Sequence, residues 1–247
     1  MSGHSKWSTI KRKKGAKDAA RGKLFGKLIR EITVAATQGG GDPANNTRLR
    51  LAMQTAKDNN MPNDNVARAI KKGTGGGEGA IFEEVIYEGY GPGGVALMID
   101  TLTDNKNRTA GAVRHALTKH DGNLGENGCV AWAFHTKGVI WVAKDQAGEE
   151  TLFNIAIDAG ADDVRDDDDG FEIICADKDF EAVRDAISES GIEIQSASIQ
   201  RVPDNVIKLD GNDARKIIRL MDALEDLEDV QAVSANFDVP SEILQEG

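Results

Sequence analysis

The sequence predicts an α+β fold in which a small helical bundle precedes two α/β units. Three observations carry that expectation. Up to about residue 72 the apolar residues recur at helical spacing, whereas beyond residue 80 they alternate or run in short β-branched stretches. Between the two regimes lies "GTGGGEG" (73–79), whose composition suits a flexible linker.

The elements follow in order. A first helix is expected over 16–37, with Leu24, Phe25, Leu28, Ile29, Ile32, Ala35 and Ala36 on one side; Gly39-Gly40-Gly41 and Asp42-Pro43 stop it. A second helix fits 46–58 through Leu49, Ala52, Met53 and Ala56. "NMPNDNVARAIKKG" supplies a helix start, a short helix through Val66 and Ile70, and Gly73 as its C-cap. Next, "FEEVIYEG" and "GGVALMIDTLT" read as a hairpin, with Pro92-Gly93 at the centre of a type II turn. A helix over 105–120 and a strand at "CVAWAF" come after it.

A second series begins with the strand "GVIWVA". A helix over 149–159 closed by Gly160, strands near Val164 and at "FEIICA", a helix over 179–190 closed by Gly191, and the strand "IEIQSASIQRV" complete it. The order βαββαβ is the split βαβ arrangement of ferredoxin-like domains. Beyond Pro203, "NVIKL", a helix through Ile217, Leu220, Met221, Leu224 and Leu227, and "VQAVSANFDV" form a βαβ piece too small to stand alone. Joining it to the earlier ββαβ segment gives three domains: 1–79, a discontinuous 80–134 with 204–247, and 135–203 inserted between those two parts.

Composition narrows the function. The 247 residues are 40% hydrophobic and 29% charged, ordinary for a globular protein. Cys129 and Cys175 stand far apart, form no CxxC pair, and read as small apolar side chains in a reducing compartment. No apolar h-region follows the basic N-terminus and no run approaches the ~20 residues of a membrane span, so a cytoplasmic protein without membrane contact is expected.

Motifs for chemistry fail on context. "GYGPGG" (89–94) matches GxGxxG, but a strand follows it where a dinucleotide site needs a helix. No GxxxxGK[ST] or GxSxG occurs. An EF-hand register on "RDDDDG" puts Arg165 and Ala176 at ligand positions, so those carboxylates read as a solvated turn. His4, His115, His120 and His135 show no metal-ligand spacing. No enzyme, cofactor or metal site is therefore expected.

Charge distribution is the informative feature. Up to Lys72 there are 16 basic and 5 acidic residues, a net of +11; from Gly73 onward there are 14 and 36, a net of −22. Such a reversal points to a polyanionic partner for the basic part, which must then face away from the acidic remainder. On the first helix Lys23, Lys27 and Arg30 fall at i, i+4 and i+7, opposite the Leu24/Leu28/Ile32 stripe, and are expected to face outward. Upstream, Lys6, Lys11, Arg12, Lys13, Lys14, Lys17 and Arg21 make a tail too charge-dense to pack. Trp7 among them either stacks on a base or caps the bundle. Arg48, Arg50, Arg68, Lys71 and Lys72 extend the patch. Engaging about six to eight phosphates predicts a log–log salt slope near −4 to −7. The expected partner is nucleic acid, either DNA or structured RNA such as the ribosome's; the acidic units are left to position the protein or meet a protein partner.

"GHSKWSTIKRKK", "REITVAATQGGGDPANNTRLRLA", "NMPNDNVARAIKKG", "YEGYGPGGVALMIDTLTDNKNRT" and "NLGENGCVAWAF" together resemble the YebC/PmpR family, over essentially the whole chain. Asp121 and Cys129 depart from its pattern, where glycine and serine are common. The resemblance implies a three-domain α/β fold and a cytoplasmic, non-enzymatic regulator. Members are described as DNA-binding transcriptional regulators or as translation factors acting on the ribosome, and relatives include a mitochondrial translational activator of cytochrome oxidase. It assigns contacts to Lys6, Trp7, Lys11, Arg12, Lys13, Lys14 and the cationic strip. "TDNKNRT" (103–109) also belongs to the pattern, and its Lys106 and Arg108 either hold a phosphate or serve a capped turn.

Overall fold

The computed structural model describes residues 18–75, 82–167, 170–240 and 242–243. Three helices come first: α1 (Asp18–Gly39), α2 (Thr47–Asp58) and α3 (Asn63–Thr74). Leu28, Ile32, Ala35, Ala36, Leu49, Ala52, Ala56, Met61 and Ala69 form their common core. So many alanines let the helices approach closely. Asn46 ties two of them together. Its side chain caps α2 by accepting from the Leu49 N–H (3.0 Å), while its Nδ2 donates to the carbonyls of Ala35 and Gly40, each at 2.8 Å.

Gly73 is not the C-cap that its position suggests. It lies inside α3 against α1, where an added Cβ would sit 2.4 Å from the Thr33 carbonyl oxygen and 2.8 Å from Ala36 Cβ. The glycine is there for helix–helix contact.

Among the described residues the rest holds two four-stranded antiparallel sheets and a two-stranded parallel one. The first contains β1 (Glu83–Tyr90), β2 (Ala96–Thr103), β3 (Asn123–Leu124) and β9 (Val230–Ala235), in the order β3-β1-β2-β9. Gly93 between β1 and β2 has φ +70° and ψ +11°, the left-handed conformation required of the third residue of a type II turn. Helices α4 (Lys106–Lys119) and α7 (Gly211–Glu225) cover one face, burying Leu97, Ile99, Val113, Leu117, Ile217, Leu220, Leu224 and Phe237. Asp121, just past α4, takes φ +61°, a conformation that aspartate tolerates better than most residues, and pairs with Lys216 of α7 at 2.6 Å.

The second sheet lies wholly within 134–203. It holds β4 (Phe134–Ala143), β5 (Ala161–Asp167), β6 (Gly170–Ala176) and β7 (Ile194–Pro203) in the order β5-β6-β4-β7. Helices α5 (Glu149–Asp158) and α6 (Phe180–Glu189) pack on it through Leu152, Ala156, Phe180, Val183 and Ile187. Numbered within the unit the strand order is 4-1-3-2, the split βαβ arrangement. The chain leaves and returns at one place: Phe134 pairs with Pro203, and the Asp204 N–H donates to the Ala133 carbonyl (3.0 Å). Beyond it, β8 (Ile207–Lys208) pairs in parallel with β10 (Phe237–Asp238). Asn236 breaks "VQAVSANFDV" into β9 and β10, its side chain accepting from the Ala96 N–H at 2.7 Å.

"CVAWAF" is a turn rather than a strand; Ala131–Ala133 form a single 3₁₀ turn before β4. The cause is Glu88, whose buried carboxylate accepts from the N–H groups of Gly128 (2.6 Å), Val130 (2.8 Å) and Ala131 (2.8 Å). Those donors are taken before a ladder can form. Burial alone would push the Glu88 carboxyl up; the three backbone hydrogen bonds outweigh it and hold the group below its ordinary range. Cys175 is a buried free thiol pushed up to about 11 by burial, and Cys129 is partly buried.

Candidate nucleic-acid interface

The strip Lys23–Lys27–Arg30 does not face outward. It faces the corner between α7 and β9. Lys23 Nζ pairs with Asp226 at 3.0 Å, and Lys27 Nζ donates to the Glu225 carbonyl at 2.7 Å. Arg30 donates to both the carbonyl and the carboxylate of Glu228 and lies 3.2 Å from Asp229 Oδ1. Val34 continues the same helical face and is buried. The acidic part of the molecule therefore attracts this face of α1 and docks it.

Two cations of α2 do the same. Arg48 forks onto Glu31 (2.6 and 3.0 Å) and reaches Glu84 at the start of β1, so its guanidinium is held charged far above the ordinary arginine value. Arg50 forks onto Glu181 of α6 at 3.0 and 2.8 Å. The hydrogen bonds from Arg48 and Arg50 hold the carboxyls of Glu84 and Glu181 below the usual range.

Lys106 and Arg108 also meet carboxylates. Lys106 pairs with Glu83 at 2.6 Å. Arg108 donates to Asp104 (2.7 Å) and to both oxygens of Asp229 (2.7 and 2.9 Å). Asn105 caps α4 by accepting from the Arg108 N–H at 3.1 Å, which matches the capped-turn reading of "TDNKNRT". Asp229 is the hub: Thr109 Oγ1 donates to it at 2.7 Å, Thr103 Oγ1 lies at 3.4 Å, and Arg30 reaches it from the bundle. Burial alone would raise the Asp229 carboxyl; the hydrogen bonds from Arg108 and Thr109, with the charges of Arg108 and Arg30, hold it low.

Four expected contact residues remain exposed with no carboxylate partner among the described residues. Arg21 lies over the Phe25 ring, and Lys72 over that of Phe82. Arg68 donates to the Asp64 carbonyl and the Asn65 side chain, and Lys71 stands beside it. Arg68, Lys71 and Lys72 occupy i, i+3 and i+4 of α3 and so share one helical face. Lys6, Trp7, Lys11, Arg12, Lys13, Lys14 and Lys17 lie outside the described residues.

The reading of residue types missed Trp132. It falls inside the expected strand "CVAWAF"; in the turn fixed by Glu88 it is 73% exposed, the most of any large apolar side chain described, with Nε1 donating to the Cys129 carbonyl at 3.1 Å. Among the described residues no group of His, Cys, Asp and Glu converges as a metal site, and no helix is long and apolar enough to cross a membrane.

The pattern of the TACO1/YebC N-terminal domain matches residues 5–76, and that of the second and third domains matches residues 82–237. The chain belongs to the TACO1/YebC family. Similar family members include a protein of Natranaerobius thermophilus, 53% identical over 250 residues and all of both chains. Another, from Geobacter sulfurreducens, is 55% identical over 99% of both chains. Both are named "Probable transcriptional regulatory protein". The crystal structure of a conserved hypothetical protein from Aquifex aeolicus superimposes with a TM-score of 0.82 at 49% identity, over 90% of this chain and 92% of that one. The TACO1/YebC match thus spans the helical bundle and both sheets.

Proposed function

We propose that this chain is a cytoplasmic regulatory protein without catalytic chemistry that grips the phosphate backbone of a nucleic acid through its basic N-terminal domain, 1–79. The observation that carries this reading is the charge division: a net of +11 up to Lys72 in a chain of net −11. The discontinuous domain 80–134 with 204–247, and 135–203 inserted into it, position that grip and offer an acidic surface to a protein partner. The relatives' name, "Probable transcriptional regulatory protein", supports transcription as the setting, and duplex DNA is the polyanion that this setting offers.

A second reading, a ribosome-associated factor on structured RNA, is served equally by the face of α3. Arg68, Lys71 and Lys72 are cations that reach phosphates on duplex DNA and structured RNA alike. Promoter duplex and purified ribosomes, titrated side by side across a salt series with the native chain and a variant with Lys11, Arg12, Lys13 and Lys14 all changed to Gln, test both readings. Salt-sensitive binding to one target, weakened in the variant, identifies the target. Equal binding by variant and native chain to both refutes the grip.

A further inference from the structure

The geometry points to a charge latch: the acidic corner 225–229 competes with phosphate for the Lys23/Lys27/Arg30 face of α1, so nucleic-acid binding must displace an intramolecular anion. This inference rests on the reading of the N-terminal domain as the phosphate grip. Successive turns of α1 present a cation, and the corner presents an acceptor to each. These are the Glu225 carbonyl at the end of α7, the Asp226 carboxylate, the Glu228 carbonyl and carboxylate, and Asp229. The carbonyl end of α7 adds the negative pole of its helix dipole to these acids. To α1 the corner looks like a short run of phosphates.

The contacts are graded. At the outer end the Lys23 and Asp226 side chains are 55% and 66% exposed, and Glu228 is 86% exposed. Pairs that open to solvent are weak and salt-screened, so a dense polyanion can outcompete them. At the inner end Arg30 and Asp229 are 14% and 9% exposed. Releasing Arg30 nevertheless leaves Asp229 satisfied, because Arg108 and Thr109 hold both of its oxygens. The latch can open without stranding a buried carboxylate, and this separates a reversible contact from a purely structural one.

The test uses the full chain carrying Asp226→Asn and Glu228→Gln, two exposed positions outside the cores. A control carries Asp145→Asn and Glu149→Gln, an equal charge change at exposed positions on the other sheet unit. Fluorescence anisotropy of a labelled DNA duplex and a labelled RNA hairpin is followed across a salt series. The latch variant should bind roughly three- to tenfold tighter than the native chain at low salt. Its log–log slope should steepen by about 1.4 to 1.8 if two further phosphates are neutralised. The control should move less than about twofold. If latch variant and control are indistinguishable while the native chain binds, the latch is overturned and the grip stands. If no form binds either probe, the grip itself fails, and the latch goes with it.

Discussion

Replacing Asp229 by asparagine keeps the shape of a buried side chain and removes its charge. Asp229 accepts from Arg108 at 2.7 and 2.9 Å and from Thr109 at 2.7 Å, and it lies 3.2 Å from Arg30. An asparagine retains one accepting oxygen, and its amide turns donors toward groups that are themselves donors. A hydrogen bond to a buried charged group contributes about 1.5–3 kcal/mol, and losing one partner of a buried pair costs about 3–5 kcal/mol. The Arg108 side chain is 52% exposed, so water screens its share and lowers the expected loss to about 2–3 kcal/mol. Thermal unfolding followed by circular dichroism should show Tm lower by about 5–10 °C. Most of that loss should persist in high salt, because the site is buried. Asp226→Asn, which removes an exposed pair, should cost under about 1 kcal/mol. A loss at Asp229 below about 0.5 kcal/mol, or one abolished by salt, would refute the hub.

Gly73→Ala should destabilise the bundle by about 1–3 kcal/mol, because the new methyl meets the Thr33 carbonyl and overpacking outweighs the helix propensity gained; a neutral or stabilising effect in urea unfolding contradicts the contact. Glu88→Ala strands the buried Val130 N–H and two part-buried ones, of Gly128 and Ala131, and should cost about 1–3 kcal/mol, with faster amide exchange across 128–131 as its signature; protected amides there would exclude the carboxylate's role. Acid should loosen the bundle from the sheets. Glu84 and Glu181 are held below their ordinary value near 4.5 by Arg48 and Arg50, so their contribution is complete above that pH and is lost as pH falls through the lowered values. Amide exchange in α2 should rise as pH drops below about 4.5, after correction for intrinsic rates; tighter protection on acidification runs against the sign.

What could be read from the residues depended on how local its cause is. The α+β class and the helices α1 and α2 were legible because Leu28, Ile32, Leu49 and Ala52 repeat at helical spacing and Asn46 marks a start. The turns after α5 and α6 were legible because Gly160 and Gly191 sit where φ is positive, at +102° and +78°. Gly73 was misread because a glycine near a helix end looks like a cap, whereas its reason is Thr33 on another helix. "CVAWAF" was misread because apolar alternation says nothing of Glu88, whose carboxylate takes the backbone donors. The orientation of the cationic strip was misread for the same kind of reason. Helical spacing tells which residues share a face, but the Glu228 and Asp229 carboxylates that cover Arg30 arrive 198 and 199 positions later in the chain.

The central claim is that the N-terminal part holds a nucleic acid by its phosphates, and the outward face of α3 tests it most directly. Affinity for a labelled duplex and an RNA hairpin should be measured across a salt series for the native chain and for Arg68→Gln/Lys71→Gln/Lys72→Gln. Loss of three phosphate contacts predicts a slope shallower by about 2–2.7, with weaker binding at every salt concentration and similar losses across base sequences. An unchanged slope and affinity would contradict it.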